Sequence, residues 1–504
     1  SDFGGRSIIP VSSNTTASAV YVGDLDRDGN LDVVVPDPDS GTLMIYENIT
    51  SGGSLSLTLI ATLNVGSGTS PQWAVGGDLD SDGYLDIVSS SYNSNVLSVF
   101  LNKTATAGSL SLSLFSNSLS TGNNPSGLAI RDLNNDGKPD IVVTNYNSST
   151  VSVFQNTYAG GILNFNAKVD FSTNSNPRSV AIGDLDANGL PDLLVTNVGG
   201  NVITVLRNTS AIGGTINFTA GSNLSTLANP QSLVIGDLDL DNKLDVAFVQ
   251  SGGNVVSIYR NTSVSGTISF GSRIDLPAST TPFSIAIGDM NGDGKPDLSV
   301  ANNGAGTASV FRNNSVSGSI TFSVRVDYTT ASNPSSIAVG DLNNDGMMEM
   351  VALGAGNLTL WQNVIIPPAP VITTVNPLSG TLGSTVIIGG RNFDPVAANN
   401  VVFFGAVTAT IVGIAGSTTL TVTVPKGATY QYVSVVNLTS DLVGYSARPF
   451  VVTYPTTGVN TFGVKREQAI TNNSSGTGVV IADFDRDGLP DVVIPNVDAS
   501  TFTV

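Results

Sequence analysis

The sequence predicts an all-β protein: a seven-bladed β-propeller, then an immunoglobulin-like β-sandwich and the start of a second propeller. Short β-branched runs alternate with Gly, Asn, Ser and Pro clusters, which is typical of many short strands. An acidic nine-residue loop recurs eight times, and the first seven copies begin 52 to 54 residues apart. A different β-rich pattern separates the seventh copy from the eighth. Regular spacing followed by an interruption indicates a closed repeat array and an inserted domain.

Each period contains the same succession of apolar segments. A turn, usually with Pro, precedes a first strand such as SIAIGD, and the acidic loop leads into a second strand such as IVVTN. A third strand ends in aromatic-x-Asn, and most periods add a fourth, as at 165–171 and 270–276. Four strands in about 52 residues are typical of one propeller blade.

The two ends of the array complement each other. The seventh period lacks its fourth strand, and residues 3–9, FGGRSII, resemble that strand. We therefore expect residues 1–366 to form the propeller, with the N-terminal strand completing the last blade. This arrangement leaves no open sheet edge.

The remaining sequence divides into three parts. Residues 367–370, PPAP, predict a stiff linker, and residues 371–454 predict the β-sandwich. Residues 461–504 repeat the pattern of residues 3–45 and predict part of a further blade. Because an isolated blade fragment cannot bury its faces, we expect a longer parent chain, with strand completion by another copy as the alternative.

The acidic loop has the pattern D-x-[DN]-x-[DN]-G-x-x-D, with one variation at each of two positions. Side-chain oxygens at positions 1, 3, 5 and 9 and the backbone carbonyl at position 7 can converge on one ion, and Gly at position 6 permits the tight turn. Oxygen ligands with several carboxylates favour Ca²⁺. A solvated turn is the alternative for one copy, but eight copies in register favour an ion site. Val35, Ser89 and Val143 occupy position 12, where an EF-hand has Glu, and strands flank the loop.

Eight loops therefore provide candidate ligands for about one Ca²⁺ each. Loop five has Asn242 at the Gly position, and loop seven has Glu349 at position 9, which we expect to shift or weaken that site. The predicted ligands are Asp24, Asp26, Asp28, Asn30 and Asp32 in loop one; Asp78, Asp80, Asp82, Tyr84 and Asp86 in loop two; Asp132, Asn134, Asp136, Lys138 and Asp140 in loop three; Asp184, Asp186, Asn188, Leu190 and Asp192 in loop four; Asp237, Asp239, Asp241, Lys243 and Asp245 in loop five; Asp289, Asn291, Asp293, Lys295 and Asp297 in loop six; Asp341, Asn343, Asp345, Met347 and Glu349 in loop seven; and Asp483, Asp485, Asp487, Leu489 and Asp491 in loop eight.

Composition narrows the range of functions. The chain has no Cys and no His, which removes the usual ligands of zinc, copper and haem and excludes Ser-His-Asp catalysis. The net charge of −19 argues against nucleic acid, and no run approaches the roughly 18 apolar residues of a membrane helix. The loops hold 28 of the 39 acidic residues, so few carboxylates remain for catalysis. Of the acidic residues outside the loops, Asp37 and Asp39 have the most unusual pattern. We predict no enzymatic activity.

Two family resemblances support this interpretation. The GDLDxDGxxD core, the preceding Pro and the repeat period resemble FG-GAP/VCBS repeats over residues 1–366 and again near 461. The resemblance implies an integrin-α-like propeller of the bacterial cell-surface type, with structural calcium loops on one rim. Pro377, the glycines at 380, 383 and 389, and Asn392-Phe393 resemble an IPT/TIG domain, which implies a spacer or interaction module.

The predicted function is that of a non-enzymatic, extracellular, calcium-stabilised surface or filament protein with a structural or adhesive role. Extracellular placement follows from the affinity expected of such loops, about 10⁻⁴–10⁻³ M. The alternative is a lectin-like propeller, in which Tyr92, Tyr146 and Trp73 offer faces for sugar stacking. The expected partners are other copies or a longer parent chain, and glycans or cell-surface proteins; nucleic acid and a membrane span are not expected.

Overall fold

The computed structural model describes residues 3–11, 19–50, 55–66, 68–345, 347–364, 369–394, 397–428, 431–438, 442–453, 480–482, 491–496 and 501–503. The chain divides into two compact units, 1–365 and 366–504. Within these residues, apart from one 3-10 turn, Ala397–Asn399, the regular structure consists of β-strands. The all-β prediction is therefore confirmed.

The first unit consists of seven antiparallel sheets, in which the first, second and third strands of a period are hydrogen-bonded in order. The fourth strand of blade four is split into two short strands that both pair with the third. The strands are β1 (Phe3–Pro10); β2 (Tyr21–Gly23), β3 (Asp32–Asp37), β4 (Thr42–Asn48) and β5 (Leu57–Asn64) in blade one; β6 (Pro71–Gly77), β7 (Asp86–Ser91), β8 (Val96–Asn102) and β9 (Leu112–Ser120) in blade two; β10 (Pro125–Arg131), β11 (Asp140–Asn145), β12 (Thr150–Phe154) and β13 (Val169–Ser172) in blade three; β14 (Pro177–Gly183), β15 (Asp192–Asn197), β16 (Val202–Asn208), β17 (Phe218–Ala220) and β18 (Leu224–Ser225) in blade four; β19 (Pro230–Gly236), β20 (Asp245–Gln250), β21 (Val255–Tyr259) and β22 (Ile274–Pro277) in blade five; β23 (Pro282–Gly288), β24 (Asp297–Asn302), β25 (Thr307–Phe311) and β26 (Val326–Thr329) in blade six; and β27 (Pro334–Gly340), β28 (Glu349–Gly354) and β29 (Asn357–Asn363) in blade seven.

The ring closes between its last and first blades. Strand β1 pairs antiparallel with β29, so the N-terminal strand occupies the fourth position of blade seven. The backbone N–H of Val20 in blade one donates to Ser336 Oγ in blade seven at 2.9 Å. Val33 and Leu342 belong to one apolar cluster that joins these two blades. The seven-bladed propeller predicted from the repeat period is thus confirmed.

The core of the propeller lies between neighbouring blades. All six residues of every second strand are buried. Each blade contacts a neighbour on both faces, so its second strand is buried along its whole length rather than at alternate positions, with polar residues such as Ser89 and Ser90 among the apolar ones. Seven apolar clusters occupy the seven blade-to-blade interfaces.

The second unit contains a separate β-domain with its own core. Its strands follow one continuous pairing path that includes β34 as a partner of both β33 and β35, so the sheet nearly closes on itself like a barrel. The rings of Phe404 and Phe450 meet edge to face at 4.9 Å in the core. In order of pairing, the strands are β30 (Val371–Asn376), β32 (Thr385–Arg391), β35 (Thr419–Thr423), β34 (Val407–Ala415), β33 (Asn400–Phe404), β36 (Gln431–Asn437), β37 (Leu442–Val452) and β31 (Ser379–Gly380).

Three further strands form a small antiparallel sheet near the end of the chain: β38 (Val480–Ala482), β39 (Asp491–Asn496) and β40 (Thr501–Thr503). Their order is that of the first three strands of a blade. Residues 483–490 lie outside the described residues, and with them the predicted ligands of loop eight other than Asp491. Residues 367–368 of the predicted linker also lie outside them.

Candidate metal centres

Each acidic loop joins the first and second strands of a blade and folds around its own carboxylates. In loop two, Asp78 accepts hydrogen bonds from the backbone N–H groups of Asp82 at 3.1 Å and Gly83 at 2.9 Å. Asp82 accepts from the N–H of Tyr84 at 2.9 Å. Gly83 has φ of 88°, a conformation that favours glycine. The carboxylates at positions 1 and 5 therefore shape the loop as well as being candidate ligands.

Asn242 replaces this glycine in loop five without changing the turn. Its φ is 65°, and its N–H donates to Asp237 at 2.8 Å, as the glycine N–H does in loop two. Asn is one of the few residues that adopt this left-handed conformation readily. The structure thus shows how loop five retains its shape.

The carboxylate at position 9 fastens the loop to the third strand. Asp86 accepts from the N–H of Leu79 at 2.8 Å and from that of Asn102 at 2.8 Å. The same pair of bonds, 2.7–3.2 Å long, recurs in all seven propeller loops. Glu349 reaches both partners despite its longer side chain. The position-9 carboxylate therefore fastens the loop to the third strand in all seven propeller loops, including loop seven.

Burial raises the pKa of every position-9 carboxyl in the propeller. The pKa reaches about 7 for Asp32, Asp86, Asp140 and Asp245, about 6 for Asp192 and Asp297, and about 8 for Glu349. Desolvation is the largest cause, and neighbouring loop carboxylates add to it. A bound cation would favour the ionised form of these groups.

In four loops, one oxygen from each of positions 1, 3 and 9 lies within 4.8 Å of the others. Several buried oxygens in these loops accept no hydrogen bond: Asp24 Oδ1, Asp26 Oδ2, Asp80 Oδ1, Asp186 Oδ1 and Asp239 Oδ1. Burying a charged oxygen without a partner is costly, and a divalent cation would remove that cost. The acidic groups fit a metal ion. They are Asp24, Asp26 and Asp32; Asp78, Asp80 and Asp86; Asp184, Asp186 and Asp192; and Asp237, Asp239 and Asp245.

Loops three, six and seven differ because position 3 is Asn. Asn291 and Asn343 donate through Nδ2 to the position-5 carboxylates Asp293, at 3.3 Å, and Asp345, at 2.9 Å. Asn134 instead donates to Gly214 O at 2.7 Å. Within the described residues, these loops do not bring three acidic side chains together as the other four do. Their metal ligation remains a prediction, as does ligation by the position-7 carbonyls.

Basic side chains from the third-strand end reach three of the acidic clusters. Lys103 pairs with Asp80, Arg207 Nε lies 2.7 Å from Asp186, and Arg260 Nε lies 2.6 Å from Asp239. In blade one, Glu47 occupies the place of Arg207 and Arg260. Each base engages one oxygen of the position-3 carboxylate, and the other oxygen stays unpaired. The bases therefore compensate only part of the acidic charge.

The Asn at the end of each third strand, or two residues beyond it, ties neighbouring blades together, a role the sequence analysis missed. Asn208 Nδ2 donates to Leu133 O in the preceding blade at 2.8 Å and to Pro191 O in its own loop at 2.8 Å. Asn48 of blade one donates to Leu342 O of blade seven at 2.8 Å, so the chain of contacts closes into a ring. The signal in the sequence was the repeated aromatic-x-Asn. The seven residues are Asn48, Asn102, Asn156, Asn208, Asn261, Asn313 and Asn363, with inter-blade distances of 2.6–2.9 Å.

Comparison with solved structures finds matches of low identity. BBS1N, crystallised in complex with ARL6DN and soaked with lead, is 13% identical, with 72% of this chain and 96% of that chain covered and a TM-score of 0.48. A functionally unknown protein from Desulfotomaculum acetoxidans is 16% identical, with 64% and 91% covered and a TM-score of 0.41. A protein from Lactobacillus plantarum is 14% identical, with 65% and 88% covered and a TM-score of 0.44. No curated protein matches the chain.

Family models identify both units. The FG-GAP-like repeat model matches five overlapping segments: 78–143, 132–195, 184–248, 237–300 and 289–352. The IPT/TIG domain model matches residues 370–454. The matched repeats cover more than half of the chain and coincide with blades two to seven of the ring. The chain therefore belongs to the FG-GAP-like repeat family and carries an IPT/TIG domain.

Proposed function

We propose that the protein is an extracellular surface protein of structural or adhesive type, stabilised by calcium. One observation carries the proposal: in the loops of four blades, carboxylate oxygens of positions 1, 3 and 9 lie within 4.8 Å of one another, and each of these loops contains at least one buried carboxylate oxygen without a hydrogen-bond partner. All candidate ligands are oxygen atoms, which favours Ca²⁺ over softer metals. Positions 1, 3, 5 and 9 would supply side-chain oxygens and position 7 a carbonyl, with about one ion per loop and up to eight in all. Eight ions would bring the net charge from −19 to about −3.

The loops are placed so that an ion would stabilise the ring and not only one blade. The carbonyl at position 2 of each propeller loop accepts the Asn Nδ2 of the next blade, as Leu25 O does from Asn102 at 2.6 Å. A cation that fixes loop one would therefore also fix the acceptor for blade two. Because such ions bind the folded state, they add to its stability by mass action.

Extracellular placement and adhesion are supported by the family and by the chemistry. FG-GAP-like and IPT/TIG domains are commonly extracellular and typically non-enzymatic. Among the described residues, no helix is long and apolar enough to cross a membrane. Modest calcium affinity suits a compartment in which calcium is abundant. The proposed partners are other copies or a longer parent chain, and ligands on a neighbouring surface.

The lectin-like alternative has one observation in its favour. Tyr92 and Tyr146 lie together, with ring centroids 6.5 Å apart, beside a cavity. Trp73 lies elsewhere, against the apolar cluster between blades two and three. Of the three aromatic residues that the sequence singled out, two therefore share a site.

Calcium removal tests the proposal. We expect the full chain to contain bound calcium by elemental analysis and to melt at a lower temperature in EGTA than in millimolar calcium. Free calcium at 100 times the Kd of a site adds about 2.7 kcal/mol to the free energy of unfolding, so several sites together give a large shift in melting temperature. Magnesium at the same concentration is the control for ionic strength. Equal melting temperatures in calcium and EGTA would contradict the proposal.

A further inference from the structure

A cavity of about 530 Å³ opens on the propeller axis, at the end of the ring remote from the acidic loops. Residues of blades two, three, four, six and seven line it, and only the centre of the ring is shared by so many blades. First strands such as β6 begin at this end, at Pro71, and reach the acidic loop after Gly77, roughly 20 Å away. The cavity volume is in the usual range for small-molecule sites, about 300–1,000 Å³.

Two repeat positions supply most of the lining. One is the residue after the proline that begins the first strand of blades two to seven, and the other is the residue after each second strand. At the first position Arg178 and Phe283 depart from the amide and hydroxyl residues of the other blades, and the Arg178 guanidinium carbon lies 4.3 Å from the centroid of the Phe283 ring. The six described residues at this position are Gln72, Ser126, Arg178, Gln231, Phe283 and Ser335. A side chain that breaks a structural repeat and stacks in a shared cavity indicates a site-specific role.

The electrostatics of the cavity are opposite to those of the chain. The net charge is −19, yet among the described lining residues Arg178 is charged and none is acidic. Burial lowers the pKa of Arg178 to about 10, while Tyr146 and Tyr92 oppose the shift. Arg178 is therefore cationic at neutral pH. A guanidinium can stack on an aromatic ring and also donate two parallel hydrogen bonds to a carboxylate.

The remaining lining suits a sugar ring. Tyr92 and Tyr146 are tilted by 53°, with ring centroids 6.5 Å apart, and offer apolar faces with hydroxyl groups. Gln72, Asn303 and Asn333 provide amide donors and acceptors around the same space. We propose that this cavity binds a saccharide that carries a carboxylate, such as a uronic acid, with Arg178 holding the carboxylate and the tyrosines contacting the ring. The proposal goes beyond the scaffold function and does not depend on metal in the loops.

The test measures binding of glucuronic acid and glucose to the full chain in calcium by isothermal titration calorimetry. We expect glucuronic acid to bind at least about ten-fold more tightly than glucose, since a charged hydrogen-bonded pair is lost with the neutral sugar. Arg178→Gln should lose at least about ten-fold in affinity for glucuronic acid. Arg131→Gln is the matched control, because Arg131 is exposed at the other end of a first strand, and its affinity should stay within about two-fold of wild type. Tyr146→Ala should also weaken binding and provides a second test if Arg178→Gln does not fold.

Several results would overturn the proposal. These are equal affinity for glucuronic acid and glucose, no binding of either, or unchanged affinity in Arg178→Gln. Tighter binding of a tetraglutamate peptide than of tetragalacturonic acid would show that the cavity binds an acidic peptide and not a saccharide. A chain that melts equally in calcium and EGTA yet binds glucuronic acid would remove the calcium proposal and leave this one standing.

Discussion

Replacing Asn208 with alanine should weaken the joint between blades three and four. The side chain is 1% exposed and makes four hydrogen bonds. Its Nδ2 donates to Leu133 O and Pro191 O, both at 2.8 Å, and its Oδ1 accepts from the N–H of Ser210 at 2.9 Å and from its hydroxyl at 2.6 Å. The substitution removes all four and leaves two carbonyls and one N–H in a buried position.

The expected cost follows from those three backbone groups. A buried polar group that loses its partner costs about 1–3 kcal/mol, so three cost about 3–9 kcal/mol before relaxation. Because the neighbouring blades can move and admit water, we expect the free energy of unfolding of the propeller to fall by about 3–5 kcal/mol. Asn166→Ala is the control, because Asn166 is exposed in blade three. This substitution should change the free energy of unfolding by less than about 0.5 kcal/mol.

Urea unfolding followed by tryptophan fluorescence measures this difference. Both tryptophans of the chain, Trp73 and Trp361, lie in the propeller, so the signal reports on that unit. The measurement is made in saturating calcium, so that metal occupancy is the same in all variants. A destabilisation of Asn208→Ala no larger than that of Asn166→Ala would refute the idea that the Asn ring holds the blades together.

Three further outcomes are expected. Arg260→Gln should lower stability in EGTA and raise the calcium affinity of the chain in calorimetric titration, because Arg260 competes for Asp239 and Asp241. Arg325→Gln, whose partner Asp327 lies on an outer strand, should leave the calcium affinity unchanged. Phe450→Ala should cost the IPT/TIG domain about 3–5 kcal/mol, seen as an early transition by circular dichroism, while the tryptophan transition of the propeller is unchanged. Burial raises the pKa of Asp275, but hydrogen bonds from Arg273 and Ser257 outweigh burial, so the net pKa is lowered. The interaction of Asp275 with Arg273 therefore stabilises the fold above the unfolded pKa of about 3.9 and stabilises it less as the pH falls. The difference in melting temperature between wild type and Asp275→Asn should therefore shrink in acid. A difference independent of pH would contradict this assignment.

The fold was predictable because its determinants are local and repeated. The spacing of loops such as Asp78–Asp86, the apolar second strands and the missing last strand of blade seven are all readable in one dimension. The acidic character of the candidate sites was equally visible. The contacts between blades were not: Asn208 and Leu133 are 75 residues apart, and only ring closure brings Asn48 to Leu342. The pairing of Lys103 and Arg260 with loop carboxylates was not predictable either, because a basic side chain near the end of a strand can extend toward the loop or toward solvent.

The hydrogen bonds of loop two divide its acidic positions by role. In loop two, Asp78 and Asp82 fold the turn by accepting its own N–H groups, and Asp86 fastens the turn to the third strand. Asp80 does neither; in the described structure its partner is the side chain of Lys103. In other loops this position accepts the N–H of position 5: Asp26 does so from Asp28 at 3.1 Å in loop one. In loops three, six and seven the Asn Oδ1 accepts the same N–H at 3.0–3.3 Å, so Asn replaces Asp at position 3 without loss of this hydrogen bond. Lys103, Arg207 and Arg260 pair with the position-3 carboxylates of loops two, four and five. We therefore expect the basic charge near position 3, more than the shape of the loop, to set how strongly each of these blades attracts a divalent ion.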